Sequence, residues 1–152
     1  MGFQFPVFID IKGNNCLIIG GGTEAAEKAQ ALLQFQAKVT VIHPTLCPAL
    51  QELEKEKKIC YIPRKYYRGD CSNAYLCIAA TGDPNTNIAI SQECKARRIL
   101  VYVADPPVYG NFDFPNVVCN RSVTVALSDS LEPAASRDLC HRLAHALPDI
   151  LS

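Results

Sequence analysis

"CLIIGGGTEAAEKAQALL" occupies residues 16–33, and its reading decides the fold. An apolar run of strand length stops at three glycines, and an alanine-rich segment with charges at helical spacing follows at once. Gly20, Gly22 and Ala25 satisfy the pattern G-x-G-x-x-A at a strand-to-helix junction. In that pattern the first glycine allows the tight turn and the second lets a diphosphate approach the backbone. The small third residue brings helix and strand close. A helix opening at Thr23 and Glu24 offers N–H groups and a partial positive charge to phosphate oxygens. A dinucleotide-binding turn and a purely structural strand-to-helix turn both fit these residues.

The flanking sequence extends the alternation. Strand-like runs fall at 16–20, 38–42, 59–62, 75–80 and 100–103, with helical periodicity at 23–35, 48–56 and 85–97. Short, almost wholly apolar strands separated by helices predict a Rossmann-like α/β fold, a parallel sheet with helices on both faces. On the first helix Ala25, Ala29, Leu32 and Leu33 form one stripe, and Glu24 can pair with Lys28 one turn on. "FPVFIDI" (5–11) reads as an extra strand or arm. After residue 103 comes a Pro/Gly/Asn loop, "ADPPVYGNFDFP". Two β-branched runs, "NVVC" and "SVTVAL", then predict an antiparallel pair, and a helix starts near Pro133 with a seam of Ala135, Leu139, Leu143 and Leu147. The division expected is a nucleotide-binding domain over 1–113 and a hairpin-plus-helix segment over 114–152. That segment is too small to fold alone and must pack on the first domain or on another subunit.

Composition narrows the classes. The chain has 152 residues, 49% apolar and 20% charged, as in an ordinary globular protein. Fifteen basic residues balance fifteen acidic ones, which argues against nucleic acid or an anionic membrane surface as partner. No apolar run is long enough to span a bilayer, and the N-terminus lacks the basic start of a signal peptide. The eight cysteines are scattered without a C-x-x-C pair, so no metal site is expected. Several lie in strand-like runs, where cysteine packs as a small hydrophobe, and reduced thiols suit a cytoplasmic protein.

Other residues carry candidate chemistry. The second strand ends "VTVIHP" without the carboxylate that would grip an adenosine ribose, and His43 beside Pro44 takes that place. Glu24 suits the helix dipole but repels phosphates unless it is turned away. Asp105 follows the carboxyl end of the last predicted strand, where open α/β sheets keep their ligands; an aspartate also opens turns before Pro106-Pro107. His141 and His145 have metal-ligand spacing on a helix, but they fall opposite the leucine seam and read as a solvated face. Arg142 and the Arg97–Arg98 pair read as surface charge.

Together "FPVFIDIKGNNCLIIGGGTEAAEKAQALL", "AKVTVIHP", "CIAATGDPNTN", "ILVYVADPP" and "FDFPNVVCNRSVTVALS" resemble, in order and over nearly the whole chain, the precorrin-2 dehydrogenase family. That family also forms the N-terminal part of bacterial siroheme synthase. The resemblance implies NAD-dependent oxidation of precorrin-2 to sirohydrochlorin in siroheme biosynthesis, with ferrous iron as a second substrate in members that are also ferrochelatases. It implies Asp105 as general base, and Gly20, Gly22, Thr23 and Glu24 on the nucleotide turn. It places His43 and Pro44 on the loop after the second strand, and Thr81 and Asp83 on the turn facing the cofactor's other half. Precorrin-2 carries carboxylates, and the resemblance turns Arg121, Ser128 and Arg137 toward them; Arg64, Lys65 and Arg68 in "PRKYYRGD" are further cationic candidates. It also implies a homodimer joined through the tail.

The chain departs from the family at several positions. Glu24 stands where a valine is usual, Glu27 where an arginine is, and Tyr102 where an asparagine is. "SDSLEPAAS" replaces a glycine-rich loop before the last helix, and the chain ends at Ser152, before the further helical domain that members typically carry. A chelatase without NAD use and a non-catalytic dimeric nucleotide-binding module are the alternatives of the same fold.

Overall fold

The computed structural model describes residues 3–152. Five strands, β1 (Asn15–Ile19), β2 (Lys38–Ile42), β3 (Cys60–Ile62), β4 (Leu76–Ala79) and β5 (Leu100–Val103), form one sheet in the order β3-β2-β1-β4-β5. Every neighbouring pair is parallel, with Ile18 abreast of Val41 and of Ile78. Helices α1 (Thr23–Gln34), α2 (Pro48–Lys55) and α3 (Pro84–Ala96) make the connections. The chain winds outward from β1 through β2 to β3, then returns to β4 and winds the other way to β5. Right-handed crossovers therefore put α1 and α2 on one face and α3 on the other. That explains why β4 is buried at all four positions and β1 at four of its five.

Side-chain alternation sorts the core into two layers. Leu17, Ile19, Cys77, Ala79, Val101 and Val103 pack with Ile90 and Cys94 of α3. Cys16, Ile18, Val39 and Val41 are buried too, as are Ala25, Ala29 and Leu32 of α1 and Leu50 of α2. The α1 stripe differs from the expected one at one place. Ala26 is buried and Leu33 only half-buried. All three helices stop the same way, on Gln36, Lys57 and Arg98 at φ 65°, 58° and 58°. The amides of Ala37, Lys58 and Ile99 then bond back to Leu32, Leu53 and Cys94, satisfying the terminal carbonyls without a glycine.

Residues Val7–Phe112 form one compact unit, and Asp113–Ser152, with the segment through Pro6, form a second. Of the two forms expected for residues 5–11, an extra strand or an arm, the structure shows the arm: Phe3, Phe5, Val7 and Phe8 are exposed and outside regular structure. In the second unit β6 (Asn116–Asn120) and β7 (Val123–Leu127) pair antiparallel around Arg121, whose φ of 53° makes the turn. Helix α4 (Pro133–Leu151) lies along β6. Its buried positions are Ser136 and Leu147, whereas Ala135 is exposed and Leu139 and Leu143 are half-buried. The Ser136 hydroxyl sets this rotation, accepting from Asn116 Nδ2 at 2.8 Å and donating to Asp129 Oδ2 at 2.8 Å. Among the described residues, no helix is long and apolar enough to cross a membrane.

Candidate functional site

The order β3-β2-β1-β4-β5 reverses direction between β1 and β4, and open α/β sheets bind ligands at the carboxyl ends of the strands beside such a reversal. The glycine turn lies there. Gly20 has φ 150°, and a Cβ on it would fall 2.1 Å from the Ala80 carbonyl oxygen. One on Gly21 would fall 2.0 Å from the Thr45 carbonyl oxygen. Both glycines are therefore fixed by the fold: Gly20 lets the turn after β1 lie against the turn after β4, and Gly21 lets it lie against the loop after β2. Gly22 is different. A Cβ there would meet nothing within 4 Å, and its φ of −97° is open to any residue.

Gly22 is also the N-cap of α1, and no side chain caps this helix. The first N–H groups thus face open space over a residue without a side chain, with the positive end of the helix dipole behind them. A diphosphate fits that cradle, and Thr23 and Glu24, both exposed, border it. Glu24 does not lie loose among the phosphates. Its Oε1 accepts from the Tyr102 hydroxyl at 3.2 Å and stands 3.8 Å from Lys28 Nζ, which also sits 5.0 Å from the Tyr102 ring centre. Glu24 and Tyr102, each singled out in the sequence, thus form one interaction.

The loop after β2 is tied to this turn by the Cys47 amide, which donates to the Gly21 carbonyl at 2.7 Å. His43 Nδ1 lies 2.9 Å from the Thr45 carbonyl oxygen. The Thr45 amide also lies 3.4 Å from Nδ1, so this loop holds that edge of the ring and leaves Nε2 without a protein partner among these contacts. The Pro44 carbonyl is held by the Tyr61 hydroxyl at 3.0 Å.

Across the switch point, Thr81 and Asp83 follow β4. Asp83 caps α3, accepting from the Asn85 amide at 3.3 Å and the Thr86 hydroxyl at 2.5 Å. The Thr86 hydroxyl, with the Asn85 and Thr86 amides, holds its carboxyl below the usual range. Asp105 follows β5 with its carboxyl group exposed. Sequence reasoning missed the residue that joins these turns. Asn87, 1% exposed, accepts from the Thr81 amide at 3.1 Å and its hydroxyl at 2.6 Å, and donates to the Asp105 carbonyl at 2.8 Å. Its signal was a polar residue within the helical stripe Asn87, Ile90, Ser91 and Cys94, all buried.

The fold thus gathers Gly20, Gly22, Thr23, Glu24, His43, Pro44, Thr81, Asp83 and Asp105 along one edge of the sheet. The substrate candidates of the second unit are spread over different elements. Arg121 is at the hairpin turn, Arg137 is on α4, and the Ser128 hydroxyl bonds Asp113 and Gln4 after β7. In the loop before β4, Arg64 is not available as expected. It makes a bidentate pair with Asp70 at 2.8 and 3.0 Å, leaving Lys65 and Arg68 exposed. His141 and His145 are both exposed.

Comparison with known proteins agrees with this geometry. The NAD(P)-binding family model NAD_binding_7 matches residues 7–116. The siroheme synthase of Pseudoalteromonas atlantica is 34% identical over 149 residues, covering 97% of this chain and 32% of that protein. That of Nitrosospira multiformis is 38% identical over 148 residues, covering 94% and 31%. The chain therefore spans about a third of the length of the curated relatives it matches. Among solved structures, SirC, a precorrin-2 dehydrogenase, superposes with a TM-score of 0.73 at 26% identity, covering 93% of this chain and 70% of that one.

Proposed function

The chain belongs to the NAD(P)-binding family, and on that premise we propose that it oxidises precorrin-2 to sirohydrochlorin, a step of siroheme biosynthesis. The observation that carries the reading is the uncapped, side-chain-free start of α1 at Gly22, on the same sheet edge as Asp105. NAD⁺ would supply the hydride acceptor. Gly20, Gly22, Thr23 and Glu24 would hold the diphosphate end, with the Glu24 charge balanced by Lys28. His43 Nε2 and the Pro44 loop would meet the adenosine ribose, and Thr81 and Asp83 would shape the shelf for the other half.

The macrocycle loses two hydrogens, one as hydride and one as a proton, and the exposed Asp105 carboxylate is the group that takes the proton. Arg121, Ser128 and Arg137 would serve the substrate's carboxylates, with Arg121 and Arg137 supplying the charge. If ferrous iron is inserted as a further substrate, the same carboxylate would receive the protons it displaces. The chelatase-only alternative rested on Glu24 repelling phosphate and on the missing ribose carboxylate after β2, and the bonds of Glu24 to Tyr102 and Lys28 weigh against the first ground.

The domain division at 1–113 and 114–152 and a homodimer through the tail belong to the same reading. The hairpin and α4 bury little, and Val117, Ile150 and Leu151 are exposed, so a second copy would supply the missing core. Eight free cysteines support a reducing, cytoplasmic setting.

The test is Asp105→Ala. Asn87 binds the Asp105 main-chain carbonyl, so the substitution leaves the turn anchored. Turnover of precorrin-2 should fall roughly tenfold or more, with NAD⁺ affinity within about twofold of wild type. An unaltered rate removes Asp105 from the mechanism.

A further inference from the structure

Three cysteines unused by the proposed reaction converge in the core. Cys71 comes from the loop before β4, Cys77 from β4 and Cys94 from α3, and all three are 0% exposed. Their sulfurs lie within 4.8 Å of one another, and none is in a disulfide. They belong to the same core as Leu17, Ile90, Ile99 and Val101, and the Glu93 carboxylate, bonded to the Cys71 amide, adds a negative charge at its edge. Sequence spacing gave no hint of this, because the three come together only when α3 packs on the sheet.

We propose that Cys71, Cys77 and Cys94 form a binding site for a trivalent thiophilic ion of the arsenite class, held as a tris-thiolate. The exchange balances without oxidation or reduction: As(OH)₃ and three thiols give As(S-Cys)₃ and three waters. Each arsenic–oxygen bond is replaced by an arsenic–sulfur bond, and each thiol proton leaves with a hydroxide.

Charge selects the ion. A divalent metal on three thiolates leaves one negative charge and a monovalent one leaves two, and an apolar layer penalises either heavily. Arg97, a cation whose charge reaches Cys94, already faces Glu93 at 3.8 Å. A trivalent centre leaves none. Ligand number agrees: structural zinc sites use four ligands, and among the described residues this group has three. Sulfur bonds of about 2.3 Å to a pyramidal centre bring three sulfurs to roughly 3.5 Å of one another, so the site must close by on the order of 1 Å from the spacing seen here.

The loop that carries Cys71 can supply that movement and the way in. It is pinned by buried Glu93, which accepts from the Tyr66 hydroxyl at 2.6 Å and from the Gly69 and Cys71 amides at 2.6 and 2.9 Å. Ser72 and Asn73 beside Cys71 are exposed, so local opening there uncovers the sulfurs.

The test uses the reduced full chain and sodium arsenite. Arsenic-edge X-ray absorption and mass spectrometry after desalting should give one arsenic per chain, bound by three sulfurs, with three thiols lost to titration. Cys94→Ala should weaken binding roughly tenfold or more, whereas Cys60→Ser/Cys119→Ser, which removes the exposed cysteines, should bind as wild type does. Where Cys94→Ala does not fold, the wild-type sulfur count decides. No retained arsenic, fewer than three sulfurs, or affinity unchanged in folded Cys94→Ala would overturn the site. Tighter binding of Cd²⁺ than of arsenite in direct competition would overturn the charge argument.

Discussion

Gly22→Ala separates the cofactor cradle from the fold. At φ −97° and ψ −165° the backbone at this position accepts an L-residue, and the new methyl group would touch nothing within 4 Å. Two small effects on stability oppose each other. Replacing glycine restricts the unfolded chain and contributes about 0.4–1 kcal/mol, whereas alanine is a poorer N-cap by a similar amount. The net change should stay within about 1 kcal/mol, or roughly 4 °C in Tm for a chain of this size. Binding should respond differently, because the methyl group occupies the space through which a phosphate oxygen reaches the first amides of α1. Losing one such charged hydrogen bond costs about 1.5–3 kcal/mol, which is roughly a 10- to 150-fold loss of NAD⁺ affinity. Calorimetric titration of NAD⁺ alongside thermal melts reads both quantities. Gly20→Ala is the contrasting control: at φ 150° with a Cβ 2.1 Å from the Ala80 oxygen, it should destabilise the fold itself. If Gly22→Ala binds NAD⁺ as wild type does, the cradle is not where the diphosphate sits.

Asn87→Ala strands the Thr81 amide and the Asp105 carbonyl, and at about 1–2 kcal/mol each the unfolding free energy should fall by roughly 2–4 kcal/mol, read as a lower urea midpoint at constant m. An unchanged midpoint would mean that water replaces the amide without cost. Glu93 gives a pH signature. Burial pushes its carboxyl up, but the hydrogen bonds from Tyr66, Gly69 and Cys71 outweigh burial and hold it below its ordinary value. A depressed folded value adds stability above the unfolded pKa of about 4.3, and that stability is lost as pH falls through the folded one. Denaturation midpoints should therefore drop more steeply below about pH 4 in wild type than in Glu93→Gln. Parallel curves would contradict the assignment.

What could be read beforehand follows from which interactions are local. The apolar runs ending at Ile42 and Val103, and the glycines that interrupt the first of the series, carry their own punctuation. All five strands and the three sheet helices were legible within one or two residues. The start of α4 at Pro133 was equally plain. The misses involve partners far apart in the chain. Tyr102 and Glu24 look like separate anomalies until β5 and α1 meet. Cys71, Cys77 and Cys94 look scattered until α3 covers the sheet. The α4 seam failed at Ala135 because a hydroxyl bonded to Asn116 and Asp129, not apolar spacing alone, decided which side of the helix turned inward. Asn87 was hidden by the opposite error, since a buried amide spoils the very periodicity used to find a helix face.

Because one side-chain amide clasps both Thr81 and Asp105, thermal wandering of either turn is shared by the other. Their mutual separation then fluctuates less than the position of either against the sheet. In the proposed reaction a hydride and a proton would leave one macrocycle, so it is that separation, rather than the stillness of any single loop, that such chemistry would require to be constant.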